Sequence, residues 1–155
     1  MVNVDNIIAS KTKVTSTGLC SLTTSNVEVV EKSDIIIIAV KPGSIATVLA
    51  EINTSFGSEK LKGKCFISIA AGVSTEDLLN KMPSHNGTSF IRVMPNTPCS
   101  VGECAAAYTL GAYASPADKD ICEAIFKSVG TISQVPEPMM DGVTGLSGSG
   151  PACED

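Results

Sequence analysis

A chain of 155 residues with 43% hydrophobic content and few aromatics supplies one core of Ile, Val, Leu and Ala, too little for two ordinary domains and too apolar for a disordered polymer. Its formal net charge of −5 comes without a basic stripe, which removes the electrostatic footprint of a nucleic-acid surface. The strongest apolar run, "DIIIIAV", stops at Lys41 and Pro42, far short of the roughly 20 residues of a membrane span. The opening "MVNVDNIIAS" lacks the basic stretch of a leader, so the expectation is a cytoplasmic protein with no membrane partner.

Six cysteines (Cys20, Cys65, Cys99, Cys104, Cys122, Cys153) form no C-x-x-C pair and have no histidine at ligand spacing. That argues against a zinc site and for reduced thiols used as small core residues, with no metal expected.

Short β-rich runs alternate with helical stretches, which predicts βα units around a parallel sheet, an α/β fold. "NIIAS" ends a first strand near Ser10. In "TTSNVEVVEKSD", Ser25 with Glu28 three residues on predicts a capping box and a short helix. "DIIIIAV" (Asp34 to Val40) reads as a parallel strand buried on both faces, in the middle of the sheet. From Pro42 to Phe56, Ile45, Val48, Leu49 and Ile52 recur at helical spacing. "KCFISIA" is the next strand, and "STEDLLNKM" a helix capped at Ser74 with Asp77 in its first turn. "TSFIRVM" is a strand running into the loop "PNTPCSVGE". After the apolar stretch "CAAAYTLG", Ser115, Pro116 and Asp118 open the clearest helix, with Gly130 just past its end, and "TISQVP" is the last strand.

In open parallel sheets ligands gather beyond the carboxyl ends of the strands. Three of those ends carry unusual residues. In "AVKP", Ala39 admits a flat ligand, Lys41 places a cation at the crevice and Pro42 starts a helix; an ordinary strand-to-helix junction with a solvated lysine explains the spacing equally well. In "AAGVS", Ala70, Ala71 and Gly72 clear backbone space, and Ser74 caps a helix whose N-terminus favours anions. In "MPNTP", two prolines stiffen a loop that offers the Asn96 amide and the Thr97 hydroxyl. His85, the only histidine, lies in the turn-like "PSHNGTS" and reads as a solvated loop residue. The chemistry to expect therefore works without histidine, and hydride transfer qualifies because a cofactor carries it. A G-x-G-x-x-G fingerprint occurs nowhere; "GLSGSG" has the wrong spacing and follows no strand.

Taken together, "SDIIIIAVKP", "ISIAAGVS", "IRVMPNTP", "VGE" and "DGVTGLSGSGPA" closely resemble the pyrroline-5-carboxylate reductase family, over about Val4 to Ala152. The resemblance implies a Rossmann-like domain with a parallel sheet that binds NADPH or NADH, at residues 4–144. Residues 145–155 would begin the hinge into a helical domain that dimerises and completes the active site. By matching position, Ser10 and Lys11 fall near the adenosine ribose and its phosphate, and Asn26 at another cofactor contact. Ala39, Val40, Lys41, Pro42, Ile69, Ala70 and Ala71 line the dinucleotide crevice, and Asn96 and Thr97 lie near the nicotinamide. The implied reaction reduces 1-pyrroline-5-carboxylate to L-proline, in a homo-oligomer for the complete enzyme.

Several features depart from the family pattern. The Gly-rich strand-helix is missing, the stretch between Ser10 and Asn26 is short, and Cys104 stands where a glycine is common. The substrate loop would belong to the helical domain, so the expectation is a domain truncated at both ends, inactive alone, with a mobile Gly/Ser tail from Gly145 to Pro151. Two other readings stay open: a non-catalytic chain acting by association with a full-length subunit, and another Rossmann reductase acting on a small hydroxy acid.

Overall fold

The computed structural model describes residues 7–10, 20–83 and 87–150. Lys11, His85 and Cys153 lie outside them. The strands β1 (Ile8–Ser10) and β2 (Ser21–Thr23) pair in parallel as a small separate sheet. The main sheet has five strands in the order β3 (Ile35–Ile38), β4 (Cys65–Ser68), β5 (Ser89–Met94), β6 (Cys104–Leu110) and β7 (Gly130–Gln134).

The α/β expectation holds, with two corrections to the sheet. First, β6 runs antiparallel to β5, although β3–β4, β4–β5 and β6–β7 are parallel. The connection from Pro95 to Glu103 holds only a 3-10 turn, Thr97–Val101. That is too short for the crossover a parallel neighbour requires, which takes roughly a dozen residues or more. Second, β3 lies at the edge of this sheet and not in its middle. Ile36 and Ile38 are buried while Ile37 between them is 47% exposed. A continuous branched run thus describes a strand covered on one side as well as one covered on both.

Helices pack on both faces. On one face Ile36, Ile38, Phe66 and Phe90 meet Val30 of α1 (Asn26–Lys32) and Ile45, Leu49 and Ile52 of α2 (Ile45–Ser55). Leu61 of the single turn α3 (Ser58–Leu61) and Leu78 of α4 (Thr75–Asn80) complete that layer. The rings of Phe66 and Phe90 stack at 5.5 Å between centroids. On the other face Cys65, Ile67, Ile91, Val93 and Tyr108 pack against Cys122 and Phe126 of α5 (Pro116–Lys127). Because successive strand residues point to opposite faces, Cys65 and Phe66 serve different cores.

The predicted caps form with one difference. Ser74 with Asp77, and Ser115 with Asp118, make reciprocal capping boxes. At α1 only half the box exists. Ser25 Oγ accepts from the Glu28 amide at 3.1 Å, but the Ser25 amide donates to Thr23 Oγ1, and the Glu28 carboxylate is held by Lys32 and the Thr23 hydroxyl. Gly130 does not cap α5. It opens β7 at φ +152°, against the Cys104 backbone, where no side chain could fit.

The structure pairs Cys99 with Cys104 as a disulfide, a pairing that the reading of the cysteines as separate reduced thiols did not anticipate; Cys20, Cys65 and Cys122 are free. The segment expected to be a mobile tail takes helical backbone as far as Gly148. α6 (Met140–Val143) continues into a π-helical turn, Thr144–Gly148, which seats Gly148 against Met94 and lets Ser147 Oγ donate to the Ala105 carbonyl at 3.1 Å. Among the described residues no helix is long and apolar enough to cross a membrane.

Candidate functional site at the strand ends

Parallel register puts the ends of β3 and β4 level with each other. Ile38 pairs with Ser68, and the Ile69 amide donates to the Ile38 carbonyl at 3.1 Å, carrying the ladder one step further. Ala39, Val40, Lys41 and Pro42 leave β3 beside Ile69, Ala70 and Ala71 leaving β4. Ser68 pairs in turn with Arg92, so β5 runs on through Val93 and Met94 before Asn96 and Thr97. The structure therefore brings seven of the expected residues to one sheet end, with the Asn-Thr loop projecting beyond the neighbouring strand.

Ala39 and Ala71 are exposed and Ala70 is buried, leaving a low floor between the two strand ends. Lys41 is exposed, and no carboxylate among the described residues pairs with it. Pro42 begins a 3-10 turn, Pro42–Ser44, that leads straight into α2, and neither has an acid in its first turn. The start of α4 differs. Asp77 bonds the Ser74 amide, and Glu137 Oε2 accepts from the Thr75 hydroxyl at 2.8 Å and from its amide at 3.4 Å. The anion seat expected after "AAGVS" is thus filled by the protein's own carboxylates, which leaves the Lys41 end of the crevice as the one suited to an anion.

Asn96 is half-buried, and its Oδ1 accepts from the Ala105 amide at 3.0 Å, tying the loop to the start of β6. Thr97 is exposed as the first residue of the 3-10 turn. Two expected residues stand apart from this group. Ser10 closes the two-stranded sheet, where it pairs with Thr23. Asn26 opens α1, and its Nδ2 donates to Glu51 Oε2 of α2 at 2.8 Å. Lys11 lies outside the described residues. No group of metal-ligating side chains occurs among the described residues.

Sequence reasoning passed over Arg92. It sits in β5 with its side chain only 4% exposed, bonding Glu137 Oε1 at 2.7 Å and Asp141 Oδ1 at 2.9 Å. Burial opposes its charge, but the bonds to Glu137 and Asp141 outweigh it, and the guanidinium is held above its ordinary pKa. An arginine inside the otherwise apolar "SFIRVM" was the available signal, since a buried charge demands acidic partners.

Residues 5–72 match the family described as NADP oxidoreductase, coenzyme F420-dependent. A pyrroline-5-carboxylate reductase from Methanosarcina acetivorans is 46% identical over 84% of this chain and 46% of its own length. The Arabidopsis thaliana reductase is 43% identical over 81% of this chain and 43% of its own. Among solved structures, Plasmodium falciparum pyrroline carboxylate reductase with NADP bound superposes with a TM-score of 0.85 at 34% identity, covering 96% of this chain and 54% of that one. The chain spans about half the length of the curated relatives it matches. Over that half the chain is similar in sequence and in its Rossmann-like fold to pyrroline-5-carboxylate reductases.

Proposed function

We propose that this chain binds NADPH or NADH across the ends of β3 and β4 as the dinucleotide-binding part, residues 4–144, of a pyrroline-5-carboxylate reductase. The observation that carries the reading is the level pair of strand ends. Ala39 and Ala71 leave room for a flat ligand there, and Lys41 stands at a helix start free of carboxylates. The residues fit the cofactor by their chemistry: small side chains where a dinucleotide must come close to the backbone, and an unpaired cation where its phosphates need charge. Val40, Pro42, Ile69 and Ala70 shape the floor, and the family resemblance assigns Ser10 and Asn26, which stand apart from the strand ends, to the adenosine end.

When bound, a reduced nicotinamide supplies the hydride. The chain's own contribution is position. Asn96 and Thr97 hold a polar edge beyond β5 on which 1-pyrroline-5-carboxylate can be oriented, and the Asn96–Ala105 bond fixes that edge. Hydride addition to the imine carbon, with a proton taken up by nitrogen, gives L-proline. A polarised C=N bond makes small demands on a general acid. The reading places the protein in proline biosynthesis in the cytoplasm, as part of a homo-oligomer.

Titration of the chain with NADPH and NADH tests this. Saturable binding weaker than micromolar is expected, because the sequence has no G-x-G-x-x-G turn to cradle the diphosphate. Lys41→Ala should weaken binding roughly two- to fivefold, the value of one exposed charge contact, and leave Tm unchanged. Absence of saturable binding, or a Lys41→Ala variant that binds equally well, would contradict the proposal.

A further inference from the structure

The loop between β5 and β6 carries a feature that the strand-end site does not use. The 3-10 turn Thr97–Val101 is closed by Gly102 in the left-handed region at φ +81°. Beyond it, the Gly102 amide donates to the Cys99 carbonyl and the Glu103 amide to the Pro98 carbonyl. This reversal returns the chain so that Cys104 lies 4.1 Å from Cys99 between Cα atoms, with the two sulfurs bonded.

The two cysteines differ in setting. Cys104 is the first residue of β6 and 2% exposed, and its backbone is fixed by the Val129 carbonyl, the Thr131 hydroxyl and the close approach of Gly130. Cys99 is half-exposed, in the turn itself. Cys99 is therefore the more open of the two, packed at the margin of the core, and Cys104 is held more deeply on the sheet. Asn96 is directly attached: the Cys99 amide donates to the Asn96 carbonyl at 3.2 Å, and Asn96 Oδ1 accepts from Ala105, next to Cys104.

We propose that Cys99 and Cys104 form a reversible thiol–disulfide exchange site that sets the order of the turn following Asn96. The oxidant is a small-molecule disulfide of the glutathione class. The Cys99 thiolate attacks one of its sulfurs, breaking that S–S bond, forming a mixed disulfide and releasing one small thiol. The Cys104 thiolate then attacks the Cys99 sulfur and displaces the second small thiol. Two protein thiols and one small disulfide become one protein disulfide and two small thiols, and the two protein protons pass to the leaving thiolates. The reverse reaction reduces the pair. In the oxidised state the turn is pinned to the first residue of β6; in the reduced state the Asn96–Ala105 bond is, among the described residues, the remaining side-chain tie to that strand. The exchange does not depend on the nucleotide reading and stands or falls by itself.

The test places the full chain in glutathione buffers of graded ratio, quenches with acid, alkylates and maps the cysteines by mass spectrometry. The expected result is joint loss of alkylation at Cys99 and Cys104 in one transition, regained as the reduced form is increased. Cys104→Ser should retain glutathione on Cys99, and Cys99→Ser should leave the buried Cys104 without an adduct. In wild type, hydrogen exchange of the amides between Thr97 and Glu103 should slow on oxidation. Free alkylation of both residues at every ratio, an unresolved glutathione adduct in wild type, or equal exchange rates in the two states would each overturn the proposal. The wild-type measurements decide even where a variant fails to fold.

Discussion

Cys65 on β4 and Cys122 on α5 lie fully buried in the core beneath α5. Burial pushes the Cys65 thiol up to about 11 and the Cys122 thiol up to about 12, from an ordinary value of 9.0. Both are neutral in the folded and unfolded chain below 9.0. Above it the unfolded chain ionises first, so the stability they contribute is present below that pH and lost as pH rises towards about 11 for Cys65 and about 12 for Cys122. Tyr108 adds to the same trend, raised by burial and by its bond to Glu123. At about 1.36 kcal/mol per pKa unit, that fall is on the order of 3 kcal/mol for Cys65 and on the order of 4 kcal/mol for Cys122. Urea unfolding across the alkaline range should show the decline, and Cys122→Ala should flatten it while lowering stability at neutral pH through the lost packing. An unchanged alkaline slope in that variant would mean its ionisation plays no part.

At the scale of elements, the caps were legible because their chemistry is local. Ser74 with Asp77 and Ser115 with Asp118 act within four residues of chain and need no partner from elsewhere. Thr23 shows how a neighbouring side chain intervenes, taking the Ser25 amide that Glu28 would otherwise hold. Gly130 is the opposite case. Its place after α5 suggests a helix end, yet what requires glycine there is the Cys104 backbone on the adjacent strand. Gly130→Ala should therefore cost on the order of 3 kcal/mol, well beyond a helix-cap effect. Gly142→Ala, where a Cβ meets nothing within 4 Å, should not destabilise the fold. Chemical denaturation of the two variants checks the contrast, and a mild Gly130→Ala would refute the close approach as its cause.

For the whole molecule, Arg92 is the point where distant parts of the chain meet. From the middle of β5 it reaches Glu137 ahead of α6 and Asp141 within it, and Glu137 also holds the Thr75 hydroxyl at the start of α4. Exposure separates the two acids: the Glu137 side chain is 31% exposed and that of Asp141 is 83% exposed. Glu137→Gln should cost on the order of 2 kcal/mol, because it removes the better shielded partner of a buried charge. Asp141→Asn should cost less than about 0.5 kcal/mol, as for other solvated ion pairs. Equal losses, measured by thermal or urea unfolding, would show that burial does not rank the two contacts.

The sequence by itself determined what depends on near neighbours and on periodicity: the α/β alternation, the helix starts at Ser25, Ser74 and Ser115, and the strand ends bearing Ala39–Pro42, Ile69–Ala71 and Asn96–Thr97. Its likeness to one enzyme family was also readable from motifs spread along the chain, and the comparisons bear that likeness out. Tertiary structure decided what depends on residues far apart. Four apolar isoleucines do not reveal whether a helix covers both their faces, so the edge position of β3 was hidden. The direction of β6 follows from the length of a loop that can only turn back. The bond between Cys99 and Cys104 needs the turn at Gly102 to return one to the other. The anion preference at α4 is cancelled by Glu137, which lies 62 residues from Thr75. Local chemistry is written in spacing, whereas burial, pairing and charge neutralisation exist only once separated segments are in contact.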